Sequence, residues 1–358
     1  MSPSVGFERR IQAGASYLTL VVRSGEASWQ ELADHLAGFH ADRFVIATDG
    51  AAPAAYLARV RALAATQAPT TVQDRREPTR QTDGRTVVIA VGGEQAGCTA
   101  AQVRLPTTLA AACGPALSMR RPVPGHPEPV LVWVRSDLLA DRPAPETRAG
   151  MVTVIRHVLA VCPALYGSLA NALRPEARYS ERALAAFLAI CADARATLVC
   201  FDPYETGPAL ALAYGRSLGD AVRRVGDASD GLALAPGDAD GLGLLLAARI
   251  AVRLGLLDAA DARAHCELLA RNGSATALPA EWDTAALADA LHTAAEPGLL
   301  LLGGLGRPRC ADGRLLTPVS DPVLRAAAAE GPALASVARS RRPAVQPVPV
   351  SVSVPVTV

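Results

Sequence analysis

The charged residues whose spacing could support chemistry lie mainly in the second half of the chain. Arg216 and Asp220 are four residues apart on a predicted helix, so they either form an ion pair or act as an acid–base pair. Arg195 precedes them, and a guanidinium suits an anionic substrate because it binds phosphate or carboxylate oxygens in pairs. His157 is a further candidate, either as a functional imidazole or as an ordinary helix residue.

Four acidic residues accompany these positions and have two interpretations. They are Asp202, Glu205, Asp238 and Asp240. They form an acidic cluster, or they occupy separate turn and cap positions, which acidic side chains also favour.

The basic residues restrict the possible chemistry. All 35 are arginine, and the sequence contains no lysine. This excludes Schiff-base catalysis, a lysine general base and a P-loop lysine. The formal net charge of +1 gives no reason to expect a nucleic-acid partner.

Cysteine usage and hydropathy indicate a cytoplasmic protein. The seven cysteines are dispersed and form no C-x-x-C pair, which predicts reduced thiols. We expect neither a signal peptide nor a membrane span, because the most apolar windows are interrupted by residues such as Arg249 and Arg253.

In the first half, candidate cofactor-binding residues follow predicted strands. Asp49 comes after the apolar segment Phe44–Ala47, where it either binds a ribose or forms a turn. Thr107 and Thr108 come after Val103–Leu105, where they either hydrogen-bond a nicotinamide or ribose, or cap the next helix.

Strands and helices alternate up to about residue 148. The predicted strands are Tyr17–Val22, Phe44–Ala47, Thr86–Ala90, Val103–Leu105 and Val130–Val134. Helices are predicted at Ser28–Gly38, with Ser28 as the N-cap, and at Pro53–Thr66. This alternation predicts a parallel, doubly wound sheet, a Rossmann-like α/β domain over residues 1–148.

The residue pattern changes after about residue 148. Ala- and Leu-rich stretches with helical spacing predict an all-α domain over residues 149–336. Residues 337–358 are rich in Pro and Val, and we expect an extended, disordered tail there.

Several segments resemble 3-dehydroquinate synthase and the related sugar-phosphate cyclases. In the helical half they are Ala149–His157, Arg195–Gly219 and Leu234–Leu244. Leu105–Ala111 (LPTTLAA) is similar to the family's P-T-T-L-L-A segment, and Ile89–Gly97 (IAVGGEQAG) to its glycine-rich cofactor turn. The resemblance implies the same two-domain layout and a dimer.

The resemblance also implies a set of NAD-binding positions. They are Asp49, Glu77, Gly92, Gly93, Thr107 and Thr108. Glu77 belongs to REPTR, which resembles a G-E-x-x-K segment near the cofactor. Glu94 departs from the family, because it brings a negative charge to the turn that should approach a pyrophosphate.

The metal-binding positions depart further. In the family a Glu and two His bind zinc, and the matching positions here hold Thr153, Arg216 and Pro236. Zinc prefers thiolate, imidazole or carboxylate ligands, so we expect no metal. Arg195 stands in place of a catalytic Lys, and Asp220 in place of a further His.

These departures leave three functional hypotheses. The first is a non-catalytic partner or scaffold, as a homodimer or as a heterodimer with an active cyclase. The second is a repurposed, metal-independent enzyme of a specialised pathway, acting on an anionic substrate with Arg120, Arg195, Arg216 or Asp220. The third is an active NAD-dependent sugar-phosphate cyclase. The simultaneous loss of metal and phosphate groups favours the first.

Overall fold

The computed structural model describes residues 6–74, 85–93, 101–119, 128–229, 234–279 and 281–329. Glu77, Glu94, Arg120 and the predicted tail lie outside these ranges.

A seven-stranded sheet organises the first 135 residues. Its strands are β1 (Phe7–Ala13), β2 (Ser16–Arg23), β3 (Arg43–Thr48), β4 (Thr70–Asp74), β5 (Thr86–Gly92), β6 (Val103–Pro106) and β7 (Leu131–Arg135). Their order in space is β1-β2-β7-β6-β5-β3-β4. The β1–β2 hairpin is antiparallel and the other neighbouring pairs are parallel.

The five strands predicted from apolar runs are all present in the sheet. Strands β1 and β4 have no such run in the sequence. They form the two edges of the sheet and most of their residues are exposed or half-buried, so polar side chains are tolerated there. The hydrophobic run alone therefore identifies the sheet interior and misses its edges.

Short helices cover this sheet. They are α1 (Ser28–Ala37), α2 (Ala54–Ala65), α3 (Leu109–Cys113) and α4 (Ser136–Ala140). Leu32 and Leu36 of α1 and Val60 of α2 are fully buried against one face of the sheet. The predicted N-cap of α1 is wrong: the cap is Ala27, and the Ser28 hydroxyl instead donates to the Gly25 carbonyl at 2.8 Å.

The rest of the described chain is helical. Its helices are α5 (Ala144–Ala160), α6 (Tyr166–Ala172), α7 (Glu181–Val199), α8 (Arg216–Ala228), α9 (Asp238–Arg253), α10 (Ala259–Arg271), α11 (Thr284–Ala294) and α12 (Asp321–Ala329). A two-stranded ribbon pairs β8 (Leu299–Leu300) with β9 (Leu316–Thr317). The predicted domain boundary at residue 148 lies inside α5.

Glycines allow α5, α8 and α9 to approach closely. A Cβ atom on Gly243 of α9 would lie 2.4 Å from the backbone nitrogen of Gly219 in α8. A Cβ atom on Gly237, which precedes α9 with φ +86°, would lie 2.5 Å from Cα of Ala149 in α5. The N-terminal ends of α8 and α9 therefore meet on α5, which brings together the three segments that the resemblance singled out.

Helix α5 also joins the two halves of the molecule. A Cβ atom on Gly150 would lie 2.6 Å from Cβ of Leu109 in α3, so α5 packs directly on the helix that follows β6.

Of the helices in the described ranges, no single one is both long enough and apolar enough to cross a membrane. One bent pair, Ala144–Ala160 with Pro163–Ala172 at 118°, meets the criteria by length and composition only.

Candidate functional site

The carboxyl ends of β3 and β5 lie side by side in the sheet, and we call this place the crevice. The chain leaves β3 toward β4 on one side and leaves β5 toward β6 on the other, so the two connections diverge. Such a switch point is where open α/β sheets bind ligands. Asp49 follows β3, and Gly92 and Gly93 end and follow β5, so the structure brings three predicted site residues together.

Asp49 spans this crevice. One carboxylate oxygen accepts a hydrogen bond from Gly93 N at 3.0 Å, and the other accepts one from Ala51 N at 3.0 Å. The side chain therefore forms the predicted turn and also holds the glycine turn opposite. A Cβ atom on Gly92, at φ +156°, would lie 2.3 Å from the Asp49 carboxylate, which explains the need for glycine here.

The two threonines have different environments. Thr108 caps α3, because its hydroxyl accepts from Ala111 N at 3.3 Å and donates to the Gly93 carbonyl at 3.2 Å. Thr107 is fully buried, and its hydroxyl has no hydrogen-bond partner among the described residues. Thr108 is therefore a helix cap, as one of the two interpretations predicted. The Thr107 hydroxyl makes no hydrogen bond within the described residues.

On the helical side, Arg156 ties three helices together. It lies on α5 and is 2% exposed. Its Nε donates to the Tyr214 carbonyl just before α8 at 2.9 Å, and a terminal nitrogen donates to Asp240 of α9 at 3.0 Å. Burial lowers the pKa of Arg156, and the Asp240 carboxylate opposes that shift. No role was predicted for Arg156 from the sequence.

Arg195 is held by a second buried ion pair. The residue lies on α7 and pairs with Glu205, whose side chain is 14% exposed. Glu205 also accepts a hydrogen bond from the Ser118 hydroxyl at 2.8 Å. Because Ser118 belongs to the segment after α3, this chain of contacts connects the helical half to the sheet half.

Of the two interpretations of the four acidic residues, the structure does not support the cluster, because the four carboxylates are engaged separately. Glu205 and Asp240 each pair with an arginine. Asp238 accepts from Ala275 N at 3.0 Å. Asp202 accepts hydrogen bonds from the backbone N–H groups of residues 206, 207 and 209. Burial alone would raise the pKa of Asp202, but these hydrogen bonds hold it below its usual value. Asp202 and Asp238 thus have the turn and cap roles of the alternative interpretation.

The predicted pairing of Arg216 with Asp220 is also wrong. Both side chains are exposed on the first turns of α8, but Asp220 accepts from Arg223 at 2.7 Å. Arg223 also reaches Asp240 at 3.4 Å, so one guanidinium bridges both carboxylates. Within the described ranges, Arg216 forms no ion pair.

His157 lies beside all three of these arginines. It is 1% exposed, and its Nδ1 has no partner in the part of the chain that the structure describes. Burial, and then the charges of Arg195, Arg156 and Arg216, lower the pKa of His157 well below its usual value. The imidazole is therefore neutral at pH 7, and the charges of three arginines act on it. We call Arg156, His157, Arg195 and Arg216 the arginine cluster.

The arginine cluster does not fit a divalent metal ion. In the described ranges, no group of three or more His, Cys, Asp or Glu side chains could hold one. Three guanidiniums would also repel a dication at short range. The same charges suit phosphate or carboxylate oxygens, so the cluster favours an anionic ligand.

The helical half matches a known family model. Residues 150–294 match the family described as 3-dehydroquinate synthase C-terminal. The chain is 32% identical over 266 residues to 2-deoxy-scyllo-inosose synthase of Streptoalloteichus tenebrarius, covering 66% of this chain and 68% of the relative. It is 33% identical over 272 residues to the enzyme of the same name from Streptomyces lividus, covering 68% of this chain and 70% of that relative.

Solved structures share the fold at lower identity. A 2-deoxy-scyllo-inosose synthase complexed with carbaglucose-6-phosphate, NAD+ and Co2+ has a TM-score of 0.79 and 22% identity, covering 91% of this chain and all of that chain. A 2-epi-5-epi-valiolone synthase from Streptomyces hygroscopicus subsp. jinggangensis with NAD+ and Zn2+ has a TM-score of 0.66 and 16% identity, covering 87% and 95%. These likenesses confirm the predicted fold class, a Rossmann-like α/β domain with a helical C-terminal region.

Proposed function

Because the chain belongs to the 3-dehydroquinate synthase family of sugar-phosphate cyclases, we propose that its cleft binds a phosphorylated sugar through arginine side chains. The observation that carries this proposal is that the buried guanidiniums of Arg156 and Arg195 are held by Asp240 and Glu205, while Arg216, which has no ion pair in the described ranges, is exposed at the start of α8. A sugar phosphate supplies the anionic oxygens that such a cluster favours. Glu205, the partner of Arg195, also accepts from Ser118 in the segment after α3, so a ligand of the cluster would lie near both halves of the molecule.

The residues of the arginine cluster support binding and orientation of such a ligand. Arg156 and Arg195 are fixed by Asp240 and Glu205, so they hold their charges in place. His157, which is neutral, can accept or donate one hydrogen bond without adding charge. Because a divalent cation does not fit these residues, no chemical step is assigned to one.

We extend the proposal to NAD at the switch-point crevice. The crevice position and an acid at the end of β3 are features of dinucleotide sites, and Asp49 would bind the adenosine ribose. Gly92 and Gly93 would border the cofactor, with the Thr107 hydroxyl free to bond it. When bound, NAD accepts and returns a hydride. A pyrophosphate would compete with Asp49 for the Gly93 N–H, because that donor is already used.

A second candidate function is complete sugar-phosphate cyclase turnover. It is favoured by the relatives, which are named as synthases and match about two thirds of this chain. Among the three hypotheses of the sequence, the active cyclase fits those names best. The non-catalytic scaffold and its homodimeric or heterodimeric assembly remain predictions, which light scattering of the purified chain, alone and mixed with a cyclase, would test.

One experiment separates the two candidates. Metal-depleted protein is titrated with glucose 6-phosphate in a calorimeter, and the same protein is then assayed for phosphate release and carbocycle formation with NAD+, with and without Co2+. Binding without metal and without turnover supports the first candidate. Turnover that requires Co2+ replaces it with the second, and the absence of any binding contradicts both.

A further inference from the structure

Arg216 differs from the other two arginines of the cluster. Arg156 donates to Asp240 and the Tyr214 carbonyl, and Arg195 pairs with Glu205, so these two charges are compensated within the protein. Among the described residues no acidic side chain pairs with Arg216, and the side chain is exposed. Its charge is the one that remains for a ligand.

The surroundings of Arg216 hold further unused hydrogen-bonding capacity. Nδ1 of His157 and Nε of Arg195 are buried and have no partner in the described ranges. Both residues are more than nine-tenths buried. Helix α8 begins at Arg216 without a side-chain cap and has no acidic residue in its first turn, so its first N–H groups face no carboxylate of their own helix.

The backbone places Arg216 at the junction of the three helices. The carbonyl of Tyr214, two residues before Arg216, accepts the hydrogen bond from Arg156. Gly215, which lies between Tyr214 and Arg216, has φ +74°. Gly215 and Gly219 pack against Gly243 of α9, which fixes the start of α8 beside α9. Arg216 is therefore an exposed cation at a defined position on the rim of a buried positive cluster.

We infer that Arg216 binds an oxyanion of the ligand, a phosphate or a carboxylate, and supplies the positive charge at a position where the family resemblance implies a metal ligand. This inference rests on the proposed function, because it names the side chain that holds the anionic group of the sugar. Arg216 is then a specificity-determining residue: its guanidinium, which the packed start of α8 places at the cluster, selects an anion, and binding is independent of divalent metal.

The test compares Arg216→Gln with Arg224→Gln, which removes the same charge from an exposed position on the same helix. Dissociation constants are measured by calorimetry for glucose 6-phosphate and for glucuronate, which carry a phosphate and a carboxylate respectively. We expect Arg216→Gln to weaken binding of one of them about tenfold or more, which is the usual size of a lost charged hydrogen bond. Arg224→Gln should stay within about twofold of wild type, and Arg216→Lys should recover part of the loss.

The outcomes distinguish this inference from the proposed function. If wild type binds glucose 6-phosphate and Arg216→Gln binds both probes as tightly as wild type does, the inference is overturned while the proposed function stands. An equal loss in Arg224→Gln, or a gain in wild-type affinity on adding Co2+, also overturns it. If wild type binds neither probe, both proposals fail. Circular dichroism confirms that each variant is folded.

Discussion

The crevice at Asp49 and the arginine cluster at Arg156 both place charged groups at the ends of packed elements. The two places differ in how many of these charged groups have hydrogen-bond or ion-pair partners within the protein. In the crevice, each oxygen of the Asp49 carboxylate accepts a backbone N–H, one from its own turn and one from the glycine turn opposite. In the cluster, Asp240 pairs with Arg156 and Glu205 with Arg195, Arg216 forms no ion pair within the described ranges, and polar atoms of His157 and Arg195 have no partner there.

This difference shows where a ligand has the most to contribute. Unpaired buried polar groups are costly, and a bound anion would satisfy them. In the crevice, a ligand must instead displace an existing hydrogen bond. We therefore expect the helical side to dominate affinity and the crevice to act as a positioning surface.

The largest expected effect comes from replacing Arg216 and two further positions with metal-ligand side chains. Thr153→Glu, Arg216→His and Pro236→His together restore the ligand types that the family uses, and zinc and cobalt favour such carboxylate and imidazole sets. We expect the triple variant to bind about one Co2+ per chain, seen by elemental analysis and visible absorption. Wild type should bind none stoichiometrically, and one tightly held Co2+ in wild type contradicts the charge argument.

The next effect concerns the buried pair Arg195–Glu205. Glu205→Gln leaves the Arg195 charge uncompensated, and removing one partner of a buried pair costs about 3 kcal/mol or more of unfolding free energy. Denaturation in urea measures the loss. Asp220→Asn is the control, because its pair with Arg223 is about half exposed and such pairs contribute less than about 1 kcal/mol. Equal losses in the two variants would contradict the contrast.

A smaller effect is expected in the crevice. Gly92→Ala places a methyl group against the Asp49 carboxylate and breaks its bond to Gly93 N, at a cost of about 2 kcal/mol. The double variant with Asp49→Ala should recover part of this loss, because the clash is removed. Urea denaturation of the single and double variants measures the coupling, and strictly additive losses would show that the two residues do not interact.

The pH dependence of stability tests the buried imidazoles. Burial lowers the pKa of His265 to about 4, and burial with neighbouring arginines lowers that of His157. The unfolded chain binds protons below about pH 6.5 that the native chain does not, so the unfolding free energy falls as pH falls. Each histidine contributes about 1.4 kcal/mol per pH unit between that value and its native pKa.

One variant resolves the contribution of His157. His157→Phe should flatten the stability profile below pH 6.5 relative to wild type, because it removes the group that binds a proton only in the unfolded chain. Urea denaturation at intervals from pH 7.5 to pH 4.5 gives both slopes. A profile of His157→Phe identical to wild type would place the imidazole in a solvated setting.

Much of the fold follows from hydrophobic patterning. The five interior strands and helices α1 and α2 are predicted because buried parallel strands and amphipathic helices have distinct spacings of apolar residues. The exposed edge strands β1 and β4 lack that signal. The N-cap of α1 is also misplaced, because Ser28 uses its hydroxyl on a local carbonyl.

The sequence positions of the site residues could be predicted, but their hydrogen-bond and ion-pair partners could not. Asp49 and Gly93 follow different strands 44 residues apart, and their hydrogen bond exists only because β3 and β5 are neighbours in the sheet. The choice of Arg223 over Arg216 as the partner of Asp220 depends on Asp240, which arrives from α9.

By itself, the sequence determined the fold class, the lack of lysine chemistry and the residue types at the family's metal positions, since these depend on composition, local spacing and resemblance. Only the tertiary structure decided which arginines are compensated, because ion pairing depends on where α5, α7, α8 and α9 meet. Arg156 and His157 lie on α5, Arg195 on α7 and Arg216 on α8, and their shared charge becomes a property of one site only after those helices pack.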